Sequence, residues 1–293
     1  MPIFTINDIT NLSSSDSEFP DALRRIPSAP PQLYVAGQDN LAELLKRPRV
    51  AIVGSRKITP YGKAITAQLA GDLARQGIVI VSGLAFGVDA AAHKAALEAG
   101  GGAIAVLPTS LQNIYPASNQ QLAHDILKQG GALVSEYAPD SEVYKTNFVA
   151  RNRLIAGLAD AVLITEAALK SGSLHTARFA LEQGKDVLAV PGNITSEMSE
   201  GTNNLLKAGA TPVTSSLDVL HALGLEDKAQ NGIAVQGSNE AEQVVLDLIA
   251  SGVADGEELQ RRSELPVTEF NQTLTMLEIT GKIRSLGANQ WTR

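Results

Sequence analysis

The stretch VAIVGSRKITPYGKAITAQLAGDLARQGIVIVSG, residues 50–83, sets the fold class of this chain. It begins with an apolar run that ends in a Gly-Ser-Arg turn, continues as an amphipathic helical pattern, and closes with a second apolar run. An uninterrupted apolar run of this length is typical of a strand that is buried on both faces. A strand, a helix and a second such strand together predict a βαβ unit in a parallel sheet.

The same alternation continues on the C-terminal side of this unit. Four more apolar runs follow, AIAVLP, GALVSE, AVLITEA and DVLAVPG, with helical patterns such as HTARFALEQG between them. We therefore predict an α/β fold with a doubly wound, mostly parallel sheet over residues 49–225. Residues 1–48 are rich in Ser, Pro and Asp, so we expect an irregular lead-in there. A polar linker over residues 226–239 then precedes a small domain at residues 240–293.

The composition excludes several classes of protein. With 293 residues, 44% of them hydrophobic, the chain is long enough for one large domain and a smaller one. It has no cysteine, which excludes disulfides, thiolate zinc sites and cysteine nucleophiles. We see no secretory signal and no apolar run of the roughly 18 residues that cross a bilayer, so we expect a cytoplasmic protein without membrane contact. The net charge of −7 opposes a generally basic coat, so any phosphate binding must be local.

Small and basic residues follow the predicted strands, at the edge where doubly wound sheets bind their ligands. Arg56 and Lys57 come after the first strand, Lys145 precedes the next helical segment, and Lys170 lies beyond the fifth strand. The backbone N–H groups of turns made of Gly, Ser and Thr approach anions closely. Cations beside such turns predict a site for a polyanion backbone.

The segment NFVARNRLIAGL carries Arg151 and Arg153 in the first turns of a predicted helix. A helix N-terminus favours anions, so cations there indicate a further partner. The two arginines are two residues apart and point to different sides of a regular helix. We predict that one of them contacts the ligand and the other anchors loops. The alternative is that the strand-end arginines make structural ion pairs with Asp89, Glu136 or Glu166.

The sequence lacks the motifs of common nucleotide and metal sites. The first turn is Gly-Ser-Arg rather than G-x-G-x-x-G, and no P-loop sequence occurs. The four histidines are scattered and give no metal-ligand spacing. We therefore expect no cofactor and no metal.

Seven pieces of the sequence occur in an order that is specific to one family. They are AIVGSRKITPYG, SGLAFGVDAAAHKAAL, IYPASN, NFVARNRLIAGL, EAALKSGSLHTA, AVPGN and EGTNNLLKAGA. Over residues 50–225 the chain resembles the DNA-processing protein A family, also called Smf. The resemblance implies an extended Rossmann-like fold that binds and protects single-stranded DNA and delivers it to RecA during natural transformation. It also implies a homodimer and no enzymatic activity.

The resemblance places a DNA-binding site on particular residues. Carried over motif by motif, the site comprises Gly54, Ser55, Arg56, Ser82, Gly83, Arg151, Asn152, Arg153, Gly172 and Ser173. We add Lys57 and Lys170 as cations on the same loops, and Phe148 as an aromatic ring on which a base could stack. Phe86 is a second candidate for stacking, and either ring could instead belong to the core.

The C-terminal region resembles a winged helix. GEELQRRSEL predicts a short helix, TEFNQTLTMLEITGKI a second helix after a turn, and IRSLGANQWTR a short hairpin. This helix-turn-helix pattern favours DNA binding. From Ser238 onward, however, nine acids stand against five bases, whereas a duplex-binding module is basic. The charge favours protein contact or a scaffold role instead.

A second hypothesis is an enzyme. The lysine-decarboxylase-like phosphoribohydrolases have related folds, cleave nucleoside monophosphates and also use Gly-rich strand-end loops. Asp89 and His93 are four residues apart on a predicted helix and Glu166 ends a strand, so an acid and a base are present for N-glycoside hydrolysis. The P-G-G-x-G-T-x-x-E loop of that group is absent from this sequence. An ion pair at a helix N-terminus explains Asp89 and His93 better than a catalytic dyad does.

Overall fold

The computed structural model describes residues 8–225, 237, 239–280, 282–287 and 289–292. The chain divides into two compact units, Met1–Gln230 and Asn231–Arg293. The linker predicted at residues 226–239 lies outside the described residues, except for residues 237 and 239. Within the described ranges, no helix is both long and apolar enough to cross a membrane.

A sheet of nine strands within the described residues forms the centre of the first unit. Its strands are β1 (Ile9–Ser13), β2 (Gln32–Ala36), β3 (Arg49–Val53), β4 (Val79–Ser82), β5 (Ala103–Leu107), β6 (Ala132–Ser135), β7 (Ala161–Ile164), β8 (Asp186–Ala189) and β9 (Thr211–Pro212). They lie in the order β1-β2-β6-β5-β4-β3-β7-β8-β9. Strands β3 to β9 pair in parallel, and β1 and β2 add an antiparallel edge. The prediction of a Rossmann-like, mostly parallel sheet is confirmed.

Helices cover both faces of this sheet. They are α1 (Asp21–Arg24), α2 (Gln38–Leu44), α3 (Pro60–Arg75), α4 (Val88–Glu98), α5 (Gln120–Lys128), α6 (Asn147–Ala150), α7 (Asn152–Leu158), α8 (Ser173–Glu182), α9 (Glu200–Lys207) and α10 (Ser216–Ala222). Val50 and Ile52 of β3 pack on the side of α3, α4 and α10, whereas Ala51 and Val53 pack on the side of α7 and α8. All four side chains are buried. Burial on both faces explains why the strand is uniformly apolar.

The N-terminal segment differs from the prediction. An irregular lead-in is expected from composition, yet β1 and β2 lie within it and extend the sheet. β2 pairs antiparallel with β6, which places Val35 opposite Val134. Leu33 and Val35 are fully buried. Composition does not predict these strands because they are short and are flanked by segments rich in Ser and Pro. Their pairing also depends on β6, a strand far along the chain.

Arg153 ties this N-terminal segment to the sheet. Its Nε donates to the Ser28 carbonyl at 2.9 Å, and its Nη1 donates to the Ala150 carbonyl at 3.1 Å. Its Nη2 lies 2.5 Å from a carboxylate oxygen of Glu136, which follows β6. The side chains of Arg153 and Glu136 are only 12% and 18% exposed. Loss of one partner would therefore leave a nearly buried charge unpaired.

The second unit has a core of its own. Its helices are α11 (Glu240–Ala250), α12 (Gly256–Ser263) and α13 (Val267–Ile279), and its strands are β10 (Arg284–Gly287) and β11 (Gln290–Thr292). The two strands pair antiparallel. Leu246, Leu259, Phe270 and Leu277 are buried together between these elements. Helices followed by a hairpin form the winged helix that the sequence predicts.

We expect Arg153→Ala to lower the free energy of unfolding by about 3 kcal/mol, because it leaves Glu136 without its cation. Arg178→Ala is the matched control, since the side chains of its pair with Glu182 are 61% and 46% exposed. The control should lower the free energy of unfolding by less than about 0.5 kcal/mol. Urea unfolding measures both variants. Equal midpoints would show that Arg153 does not anchor the segment.

Candidate nucleic-acid interface

The strand order reverses between β3 and β7, and a cleft opens at that point. β4, β5 and β6 lie on one side of β3, whereas β7, β8 and β9 lie on the other. The connections after two such strands run to opposite faces of the sheet, which leaves a crevice for a ligand. The cleft encloses about 460 Å³. It is lined by the loop after β3, the junction of α6 and α7, the start of α8 and the loop after β8.

The loop after β3 presents two cations on a fixed base. The Ser55 N–H donates to the Glu166 carbonyl at 2.7 Å, and a Cβ at Gly54 would lie 2.6 Å from that same oxygen. Glycine therefore allows this close approach to the end of β7. The Ser55 hydroxyl accepts the Lys57 N–H at 3.0 Å. Arg56 and Lys57 are exposed at the cleft, and neither has an ion-pair partner among the described residues.

Arg151 places a buried positive charge against the cleft. It is 3% exposed, and its Nη1 donates to the Gly83 carbonyl at 2.7 Å and to the Val106 carbonyl. These carbonyls lie at the ends of β4 and β5, so the guanidinium bridges two strands. A Cβ at Gly83 would lie 2.5 Å from Nη1, which explains the glycine there. Burial lowers the pKa of Arg151 to about 10 and the Asp89 carboxylate opposes the shift, so the group stays charged at neutral pH.

Phe148 lies beside an exposed cation of the cleft. The Arg56 guanidinium carbon is 5.4 Å from the Phe148 ring centre, within the range in which a cation is attracted to an aromatic ring. The Tyr115 ring meets Phe148 edge-on, with 5.1 Å between the ring centres. Tyr115 and Phe86 are 45% and 46% exposed, and all three rings line one small recess beside the cleft. We call these three rings the aromatic surface.

The loop before α8 forms the opposite wall of the cleft. Asn152 joins this wall to α7, because its Nδ2 donates to the Gly172 carbonyl at 3.2 Å. The Ser171 and Ser173 hydroxyls lie 2.8 Å apart, and Ser173 begins α8. Lys170 is exposed in the same loop and lines the cleft. This wall thus contributes a third exposed cation and a pair of hydroxyl groups.

The structure brings ten of the predicted site residues into one cleft. They are Gly54, Ser55, Arg56, Lys57, Phe148, Arg151, Asn152, Lys170, Gly172 and Ser173. Ser82 is buried instead, and its hydroxyl donates to the Ile52 carbonyl at 2.6 Å. Gly83 lies against the buried guanidinium and Arg153 holds the N-terminal segment, so neither lines the cleft. Of the alternative ion pairs, only that of Arg153 with Glu136 is present among the described residues.

Two parts of this surface have no counterpart among the predicted residues. Glu197 and Met198 line the cleft from the loop after β8. Glu197 is exposed and brings a negative charge to the mouth. Tyr115 belongs to the aromatic surface from the loop after β5. The other loops are identified from the sequence by their lysines and arginines. The loops after β5 and β8 contain no basic residue, so that signal does not identify them.

Asp89, His93 and Glu166, the residues of the enzyme hypothesis, do not line one cavity. Oδ2 of Asp89 accepts the N–H of Gly83 at 3.1 Å and so fixes the loop after β4. His93 is fully buried, and burial lowers its pKa to about 3, which keeps the imidazole neutral. The Glu166 carboxylate accepts the Thr59 N–H at 2.8 Å and the Thr59 hydroxyl at 2.5 Å. Asp89 and Glu166 hold loops through hydrogen bonds and His93 lines neither cavity, so the geometry does not favour the enzyme.

Two family descriptions match the chain. DNA recombination-mediator protein A matches residues 10–224, and the DprA winged helix domain matches residues 234–289. Protein Smf of Escherichia coli K12 is 39% identical over 285 residues, which cover 94% of this chain and 75% of that protein. DNA processing protein DprA of Streptococcus pneumoniae R6 is 44% identical over 210 residues, which cover 72% of this chain and 73% of that protein.

Two solved structures share the fold. The X-ray structure of DNA processing protein A from Streptococcus pneumoniae has a TM-score of 0.68 at 42% identity, and the match covers 74% of this chain and 75% of that one. A structure of DNA processing protein A from Helicobacter pylori, concerned with its single-stranded DNA binding mode, has a TM-score of 0.67 at 37% identity. That match covers 76% of this chain and 99% of the other. On this combination of sequence, fold and cleft, the chain belongs to the DNA processing protein A (DprA/Smf) family.

Proposed function

We propose that this chain binds single-stranded DNA in the cleft between β3 and β7, and that it acts as a binding protein rather than an enzyme. The observation that carries the proposal is the set of three exposed cations, Arg56, Lys57 and Lys170, beside the buried guanidinium of Arg151. Exposed cations that neutralise phosphates release counterions and so contribute affinity. The buried cation adds a fixed positive potential. The Helicobacter pylori relative, studied for its single-stranded DNA binding, supports the proposal.

Three features favour a single strand over a duplex. A cleft of about 460 Å³ has the size of a small-molecule pocket and suits a short piece of unpaired chain. The aromatic surface offers ring faces on which unpaired bases stack with little sequence preference. The net charge of −7 repels phosphates from the rest of the protein and confines binding to the cleft.

Membership of the family suggests a wider role. We propose that the chain protects incoming DNA and loads RecA onto it during natural transformation, and that it works in the cytoplasm as a homodimer. Two linked copies of the cleft would hold one strand more tightly than a single copy, because the second contact forms at high effective concentration.

We expect tighter binding to a single-stranded oligonucleotide than to a blunt duplex of the same length. Affinity for the single strand should fall as salt rises, with a slope of about −0.7 per phosphate contact on a log–log plot. Fluorescence anisotropy at two or more salt concentrations measures both quantities. Equal affinity for the duplex and the single strand, or an affinity that does not depend on salt, would contradict the proposal.

We expect Arg56→Glu to weaken binding of the oligonucleotide at least about tenfold, equivalent to about 1.4 kcal/mol. The change removes a phosphate contact and adds a repulsion, yet the side chain is exposed, so thermal stability should change little. Binding isotherms and melting curves are measured together. Parent-like binding by a variant that melts normally would show that the cleft is not the DNA site.

Arg75→Glu is the matched control for that experiment. Arg75 lies in the last turn of α3, and its side chain is 50% exposed. α3 runs back from the cleft to the start of β4, so this arginine lies at the opposite edge of the sheet. Arg261→Glu in the second unit is a further control. Both variants should bind DNA like the parent, and equal losses in all three would indicate a general charge effect instead.

We expect light scattering at micromolar protein to give the mass of a dimer. In a separate assay, we expect the parent protein to accelerate RecA assembly on an oligonucleotide. Arg56→Glu should lose the acceleration because it no longer holds the strand. RecA assembly is followed by its DNA-dependent ATPase activity. A monomer mass at all protein concentrations would contradict the proposed dimer. An unchanged rate of RecA assembly on the oligonucleotide would contradict the proposed loading role.

A further inference from the structure

The outward face of α13 lacks the charges of a DNA-reading helix. Thr268, Gln272, Met276 and Ile279 recur at helical spacing and are all exposed. Met276 and Ile279 are 50% and 74% exposed, although both are apolar. The helix sequence VTEFNQTLTMLEI contains two glutamates and no lysine or arginine. A recognition helix that enters a groove needs cations beside the phosphates, so α13 is poorly suited to a duplex.

The described cations around α13 are already paired inside the second unit. Arg261 and Arg262 contact the two carboxylate oxygens of Glu258 at 2.5 and 2.6 Å. Nζ of Lys282 lies 2.8 Å from a carboxylate oxygen of Glu242. Phosphates would have to compete with these carboxylates for the cations. The unit also has nine acidic and only five basic residues from Ser238 onward.

A pocket of about 400 Å³ adjoins this face. Its lining includes Glu257, Gln260, Asn271, Thr275, Asn289 and Trp291. Glu257 is exposed at the start of α12 and supplies a carboxylate, and Trp291 supplies the aromatic ring to which cations bind best. The side chains of Gln260, Asn271 and Asn289 supply amide oxygens. A carboxylate, an indole and amide acceptors together suit the side chain of a lysine or arginine.

We propose that the pocket and the outward face of α13 form a docking surface for a basic, amphipathic segment of a partner protein. Thr275 lines the pocket and lies one helical turn before Ile279, on the same side of α13, so the two parts adjoin. Apolar side chains of the segment pack on Met276 and Ile279, and a flanking lysine or arginine enters the pocket beside Glu257. The acidic balance of the unit complements such a segment and steers its association.

The charge of the docking surface favours one of its three possible ligands, which are duplex DNA, a second copy of this unit and a basic protein segment. Duplex DNA is polyanionic and meets an acidic helix whose neighbouring cations are engaged. A second copy of this unit would bring like charges together, since each copy carries the same excess of acids. A basic protein segment is the occupant that both the apolar face and the acidic pocket favour.

Trp291 gives the proposal a direct readout, because it is the only tryptophan in the chain. The full-length protein is titrated with a 14-residue helical peptide of lysine and leucine, with the same peptide carrying glutamate for lysine, and with a blunt DNA duplex. Of the three probes, we expect only the lysine peptide to cause a saturable change in the tryptophan emission. A saturable response to the duplex or to the glutamate peptide at lower concentration would overturn the proposal.

Two variants test the two parts of the surface. Glu257→Lys should weaken binding of the lysine peptide about tenfold by repulsion in the pocket, and Ile279→Ser should weaken it by removing an apolar contact. Glu264→Lys is the matched control, since Glu264 is exposed at the other end of α12 and does not line the pocket. Melting curves confirm that each variant folds. Equal affinity in all four proteins, or an emission that changes with protein concentration without peptide, would overturn the proposal.

Discussion

The buried guanidinium of Arg151 is the constraint on which the cleft depends. It bridges the Gly83 and Val106 carbonyls at the ends of β4 and β5, and it occupies the space that a side chain at residue 83 would need. Its two hydrogen bonds and the neighbouring Asp89 carboxylate offset the cost of holding the charge away from water. The loops after two strands and the break between α6 and α7 at Arg151 are therefore linked through this one side chain.

The three strand-end arginines have different structural positions. Arg151 is buried and fixes the cleft, Arg153 is paired and holds the N-terminal strands, and Arg56 remains exposed beside Phe148. The division matters in a chain with a net charge of −7, because a polyanion is attracted only where exposed cations gather. The interactions of the buried Arg151 and the nearly buried Arg153 are screened less by salt than those of Arg56.

The two units use charge in opposite ways. Exposed cations of the first unit surround a cleft at the point where the strand order reverses. The second unit has the architecture of a DNA-binding module, yet its helix α13 is acidic and apolar on the exposed side. A shared architecture does not imply a shared ligand, because recognition depends on the side chains that the fold displays. We therefore propose nucleic acid as the ligand of the first unit and a basic protein segment as the ligand of the second.

The sequence by itself determined the parallel sheet, the winged helix and the loops that meet at the cleft, because buried strands and turns leave local patterns. It also identified Arg56 as an exposed cation, since a long charged side chain beyond a strand has no place in a core. Only the tertiary structure separated Arg151 from Arg153, added β1 and β2 to the sheet and gave Asp89 a structural role. The reason is physical: Asp89 binds the nearby Gly83 and Ala85 N–H groups only because the loop after β4 folds back on it. The partners of Arg151, Arg153 and β2 lie far along the chain, so only tertiary packing brings them into contact.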